Sequence, residues 1–164
     1  MPLVAPLLTA MRQLFALERD PQFHECFLSL TTLASAQLAP IQRLPHFDGV
    51  ERERIAVLLY LDPAERGGTS FFRQLATGFE SVDATRLETY RQALASGVAE
   101  HGLPPPRYIG TGAPLFTRSH QVEGRLNRLI AYRGHTLHCA DLADGFVPDT
   151  SPATGRLTLN LFLH

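Results

Sequence analysis

Short apolar runs, each stopped by turn residues, constrain the fold of this chain more than any other feature. Ile55-Ala56-Val57-Leu58-Leu59-Tyr60-Leu61 is the clearest, and Asp62-Pro63 ends it. A run of that length is too short for a typical helix and too apolar to face water, so it reads as a covered strand. Phe27 to Leu33, Leu38 to Phe47, a short strand through Phe71 and Phe72, Arg125 to Tyr132, Thr136 to Cys139 and Arg156 to Leu163 read as further strands. Pro40, Asp48-Gly49, Arg66-Gly67-Gly68-Thr69 and Arg133-Gly134 punctuate them.

Two segments break this pattern with helical spacing. Between Pro6 and Leu17, Leu7, Leu8, Met11, Leu14 and Phe15 form one stripe, as expected of an amphipathic helix packed outside a sheet. Ser81-Val82-Asp83 opens a second helix, with Ser81 or Asp83 as its cap and Leu87, Tyr90, Leu94 and Val98 as its stripe. Gly102 ends it before Pro104-Pro105-Pro106. Residues 104–121 and the polar stretch from Asp141 to Gly155 read as loops. No repeat or linker divides the chain, so residues 1–164 are expected to form one domain, with 78–124 as a helix-plus-loop insertion. The expected class is mainly β, a sandwich or barrel with helices outside it.

Composition narrows the function classes. A formal charge of −1 creates no global field for nucleic acid or an anionic membrane. All 15 basic residues are Arg, so an anion-binding cation must be Arg or His. Cys26 and Cys139 fit neither a disulfide framework nor a zinc motif and read as thiols in a reducing compartment. The apolar start, Met1 to Leu8, has no basic segment before it and no small-residue cleavage site after it, and Arg12 interrupts the next apolar stretch. A cytoplasmic protein without a membrane partner is the expectation.

His46-Phe47-Asp48 carries the chemistry. Residues i and i+2 of an extended segment share a face, so the imidazole and the carboxylate point the same way. A second imidazole from a distant strand would complete a 2-His-1-carboxylate triad, which suits Fe(II) and leaves exchangeable positions open. His135 and His138 compete for that role; three residues apart on a strand they face opposite ways, so only one can serve. Arg156 and Thr158 share a strand face, and Asn160 continues it. Each residue also has a plainer reading: Tyr60 as core with its hydroxyl satisfied, Arg156 as a strand-end surface cation.

Several motifs in order resemble Fe(II)/2-oxoglutarate oxygenases of the prolyl-4-hydroxylase-like type. They are Pro45-His46-Phe47-Asp48-Gly49, Leu58-Leu59-Tyr60-Leu61-Asp62, Gly67-Gly68-Thr69-Ser70-Phe71, Leu129 to His138, and Gly155-Arg156-Leu157-Thr158. The likeness covers roughly residues 40–72 and 125–163 and departs from the family in two places. The stretch between His138 and Arg156 is longer than usual, and no Glu precedes Thr69. The resemblance implies a double-stranded β-helix, or jelly roll. It also implies His46, Asp48 and His138 as ligands of Fe(II), with Arg156, Thr158 and Tyr60 holding the distal carboxylate of 2-oxoglutarate. The implied activity is a dioxygenase that releases succinate and hydroxylates a small metabolite or a peptidyl side chain. A cupin-like metal-binding or regulatory barrel without oxidative turnover is the alternative, and a metal-dependent isomerase or hydrolase is a further one. The family's barrel carries more N-terminal elements than one helix and one strand, a difference that a homodimer, or a true start upstream of Met1, would make good.

Overall fold

The computed structural model describes residues 4–110, 112–143 and 145–164. In chain order the elements are helix α1 (Val4–Leu14), strand β1 (Phe23–Leu30), two 3-10 turns (Ser35–Gln37 and Pro40–Arg43), β2 (Ile55–Tyr60), β3 (Gly68–Gln74), helix α2 (Leu87–His101), β4 (Gly112–Ala113), β5 (Phe116–Val122), β6 (Leu129–Arg133), β7 (His138–Asp141) and β8 (Leu157–Leu163). Two antiparallel four-stranded sheets result, ordered β1-β8-β2-β6 and β4-β5-β3-β7. The architecture is mainly β, with both helices outside the sheets, as in a jelly roll. On the open edge of β7 an isolated bridge joins His46 to His138 where a further strand would lie. Among the described residues no helix is long and apolar enough to cross a membrane.

Each helix covers the outer face of one sheet. On the first sheet, Met11 of α1 packs on Ile55 and Val57 of β2 and on Leu161 and Leu163 of β8. The helix gives way at Phe15–Leu17, where Ala16 takes a left-handed conformation (φ 49°), earlier than the apolar stripe suggests. On the second sheet, Tyr90 of α2 joins Phe72, Phe116 and Leu137 in a larger cluster. The helix begins at Leu87 with Arg86 as its cap, later than expected, so neither Ser81 nor Asp83 caps it. Asp83 holds the turn before it, its Oδ1 accepting from the Thr85 and Arg86 amides at 3.0 and 3.1 Å, and Ser81 bridges Thr136. Gly102 closes the helix at φ 76°.

Strand alternation then decides what faces inward. Along β3, Phe72 and Gln74 point out toward α2, while Thr69 points in and meets Tyr60 of the opposite sheet. Gly67, at φ 127°, has no room for a side chain, because a Cβ would strike the carbonyl of Asp141. This close approach accounts for the Gly-Gly pair before Thr69.

Five further expectations need correction. The strand expected over Arg125 to Tyr132 runs only from Leu129 to Arg133, because Leu126 and Asn127 form a turn, with Asn127 at φ 62°. Leu38 to Phe47 is not a strand: Pro40 starts a 3-10 turn, and only His46 is paired. β1 runs from Phe23 to Leu30, earlier than the apolar text, because it is an edge strand and is exposed over most of its length, so no alternation marks it. The stretch 104–121 is not all loop. Phe116–Val122 pairs with β3 along its length, and Gly112–Ala113 adds a short strand beyond it. Segment 78–124 therefore supplies sheet as well as helix. β5 is too polar to announce itself, since its order comes from backbone pairing and not from burial.

Candidate metal and carboxylate site

The segment carrying His46 and Asp48 is fixed by the residues around them. Leu44 is buried in the α2-side cluster, and Phe47 packs edge-on against Tyr90 at 5.8 Å. With Phe47 anchored outward, its two neighbours turn the other way. Backbone bonds lock the register: His46 and His138 exchange N–H···O bonds of 2.9 and 2.8 Å, and the Asp48 amide donates to Gly134 O at 2.7 Å. The parity expected of a strand is thus achieved by one bridge.

His46, Asp48 and His138 converge so that one ligand atom from each lies within 4.8 Å of the others. Nε2 of His46 is 3.9 Å from Asp48 Oδ1, and Nε2 of His138 is 3.5 Å from Oδ2. His138 Nδ1 contacts Thr136 O at 2.9 Å, which fixes the ring and aims Nε2 inward. His135 lies on the preceding turn, outside this cluster.

Burial sets the charge state. It pushes His138 down to about 4 despite the Thr136 carbonyl. Enclosure, then the neighbouring imidazole, pushes His46 down to about 4 as well. His46 is the open flank of the cluster, with 53% of its side chain exposed against 7% for His138, so lost water weighs less on it. Both rings are neutral at neutral pH, the form that ligates metals. Burial raises the Asp48 carboxyl, and its Oδ2 is buried with no hydrogen-bond partner among the described residues. Such an oxygen is costly beside two neutral rings, and a cation between the three would satisfy it. The donor set fits Fe(II).

Further along the same inner surface, Arg156 is 6% exposed. It donates to Gly68 O at 2.8 Å and to Thr31 Oγ1 at 3.2 Å, and its buried Nε has no partner. Among the described residues no carboxylate lies at salt-bridge distance from it, and Asp62 and Asp141 act on it only from farther off, although a buried guanidinium without a direct partner is unfavourable. Tyr60 and Thr158 face each other in register beside it, with the Tyr60 hydroxyl donating to Thr69 Oγ1 at 2.7 Å. Thr158 Oγ1 accepts from Asn160 at 3.3 Å. Thr69 is the partner of Ala140, which stands two residues from His138, about 6.6 Å along a strand.

Sequence reasoning missed Tyr132. Its ring lies 4.6 Å from that of His138 and edge-on to Phe71 at 5.2 Å. Burial, then the Asp48 carboxylate, pushes its phenol well above the ordinary value. Period-2 alternation puts it on one face with Ile130 but does not say whether that face meets core or ligand. Cavities of about 1330 and 740 Å³ elsewhere on the molecule have none of the triad in their walls, whereas one of about 300 Å³ includes His46.

Among solved structures, the chain is similar to an N-substituted L-amino acid dioxygenase from Burkholderia ambifaria. Identity is 11%, the TM-score is 0.46, and the match covers 98% of this chain and 62% of that one. The chain thus spans less than two thirds of that protein. No curated protein matches it. A family model does match, over residues 2–163, and the chain belongs to that family, the family of unknown function DUF6445.

Proposed function

We propose that this protein is an Fe(II)- and 2-oxoglutarate-dependent dioxygenase, acting as a hydroxylase over a single domain of residues 1–164. One observation carries the reading. The same inner surface holds a half-buried carboxylate, with one buried unpartnered oxygen, between two neutral imidazoles and, farther along, a buried guanidinium with no carboxylate partner among the described residues. One cation and one dicarboxylate would satisfy both ends.

In this reading His46, Asp48 and His138 hold the metal. Arg156 receives the distal carboxylate of 2-oxoglutarate through its unpartnered Nε and the remaining protons of its terminal nitrogens, with the Thr158 hydroxyl as a further donor and the Tyr60 hydroxyl turning to it from Thr69. When bound, iron and the 2-oxo acid supply the activation of dioxygen that a protein side chain cannot. The chain's own residues position these groups. Phe71 and Tyr132 wall the site with ring edges and faces, limiting water beside His138. A metal-binding barrel without oxidative turnover would keep the triad but leave the burial of Arg156 without a purpose.

Succinate formation tests the reading. Fe(II)-loaded protein supplied with 2-oxoglutarate in air should release succinate, slowly without substrate, and Asp48→Ala should not. Equal background release from both proteins would end the oxygenase reading.

A further inference from the structure

The open flank of the triad leads into the cavity of about 300 Å³ that has His46 in its wall. Its chemistry is uniform. Leu30, Leu33, Leu38 and Ile109 supply apolar surface, and among the described residues no Asp, Glu or Arg lines it. The polar groups that do line it are mostly engaged already. Tyr108 donates its hydroxyl to Leu33 O at 2.8 Å, Thr31 Oγ1 accepts from Arg156, and the Gln42 side-chain oxygen accepts from the Ala39 amide at 2.8 Å. A cation seated there would lose water and find no carboxylate among the lining residues, whereas an anion would have Arg156 behind Thr31.

The backbone of Ala140 is different. His138 turns its amide and carbonyl outward to His46, so Ala140, two residues on, turns its own the same way. Beyond the His46 bridge no described strand pairs with that edge, and Ala140 lines the cavity. One N–H and one C=O are thereby presented side by side to whatever enters, the arrangement that an amide satisfies with both of its polar atoms.

We propose that the substrate presents an uncharged amide carrying a small aliphatic group, the amide on the Ala140 edge and the aliphatic group among Leu33, Leu38 and Ile109 beside His46. This assignment rests on the oxygenase reading for the chemistry after binding, but not for binding itself.

The test is therefore made without turnover, on Zn(II)-loaded protein followed by its methyl NMR signals. The probes are N-acetyl-leucine N-methylamide and its cationic relative leucine N-methylamide at a pH that keeps the amine charged. The neutral compound should shift the Leu33, Leu38 and Ile109 methyl signals and bind at least about tenfold tighter than the cationic one. Gln42→Glu keeps the acceptor for Ala39 while placing a charge at the mouth, and should cut the preference for neutral over cationic probe by about tenfold. Leu33→Glu should do the same from the opposite wall. A blocked tripeptide with central leucine separates two sources of the amide. Tighter binding than the single residue supports a chain-borne amide, and equal binding supports a small molecule. Unshifted methyl signals with every probe, or the cationic probe binding as well as the neutral one, would overturn the assignment. The oxygenase reading is judged separately by succinate release, so either can fail alone.

Discussion

The outer and inner faces of the two sheets are built on opposite principles. Outside, under α1 and α2, the packing is apolar: Met11 with Ile55, Val57 and Leu163 on one sheet, Tyr90 with Phe72, Phe116 and Leu137 on the other. Inside, the buried residues include Tyr60, Thr69, His138, Arg156 and Thr158. Apolar burial contributes roughly 1.5–3 kcal/mol for each large side chain, whereas a buried charge without a partner works against folding. Stability is therefore concentrated beneath the helices, and in the proposed reading the space between the sheets is where the ligands bind. Substitutions on the two faces should fail in different ways.

The largest effect is expected inside. Asp48→Ala should weaken iron retention by more than about 100-fold, since even partners one shell further out are worth 10–100-fold in metal affinity. Thermal stability of the metal-free protein should be unchanged or raised, because a costly buried carboxylate is gone; metal analysis after desalting and a melting curve read the two quantities. Phe72→Ala on the outer face should show the converse. It should cost about 3–5 kcal/mol by denaturant unfolding, while the surviving folded fraction keeps its iron. If Phe72→Ala lost metal at unchanged stability, the division between faces would break.

Arg156→Met sharpens the comparison. Replacing an unpaired buried guanidinium with an apolar side chain of similar length should leave the protein equally stable or about 1–4 kcal/mol more stable without ligand. It should also remove the upward melting shift that 2-oxoglutarate gives the metal-loaded wild type. A strong loss of ligand-free stability would instead mark Arg156 as structural. The smallest effect belongs to the helix lead-in. The Thr85 hydroxyl and the Arg52 guanidinium beside Asp83 hold its carboxyl well below the ordinary carboxylate range. Its folded value lies below its unfolded one, so the stability it lends is present above about pH 4 and fades as pH falls further. Asp83→Asn should lower stability at neutral pH, with the gap closing in acid. A gap that persisted unchanged in acid would show that ionisation of Asp83 is not the cause.

Legibility in the sequence divides along the same lines. β2, β8 and both helices announced themselves because one face of each is buried against apolar neighbours, and burial leaves a period in the text. β5 and the start of β1 left none, since an exposed or polar strand is ordered by its partners' backbone. The triad was legible for another reason. His46 and Asp48 need only i, i+2 spacing, and the structure supplies it through one bridge where a strand was expected. Tyr132 was hidden because a tyrosine in an apolar strand looks the same whether it faces core or ligand. The Ala140 edge was invisible, since an unpaired backbone has no sequence signature.

Anaerobic titration of the Fe(II)-loaded protein with 2-oxoglutarate tests most directly whether the polar interior is one site for a metal and a dicarboxylate. A weak visible charge-transfer band should grow and saturate in the wild type, appear only at much higher ligand concentration in Arg156→Met, and be absent in Asp48→Ala. No band in the wild type, or identical titrations of wild type and Arg156→Met, would contradict it.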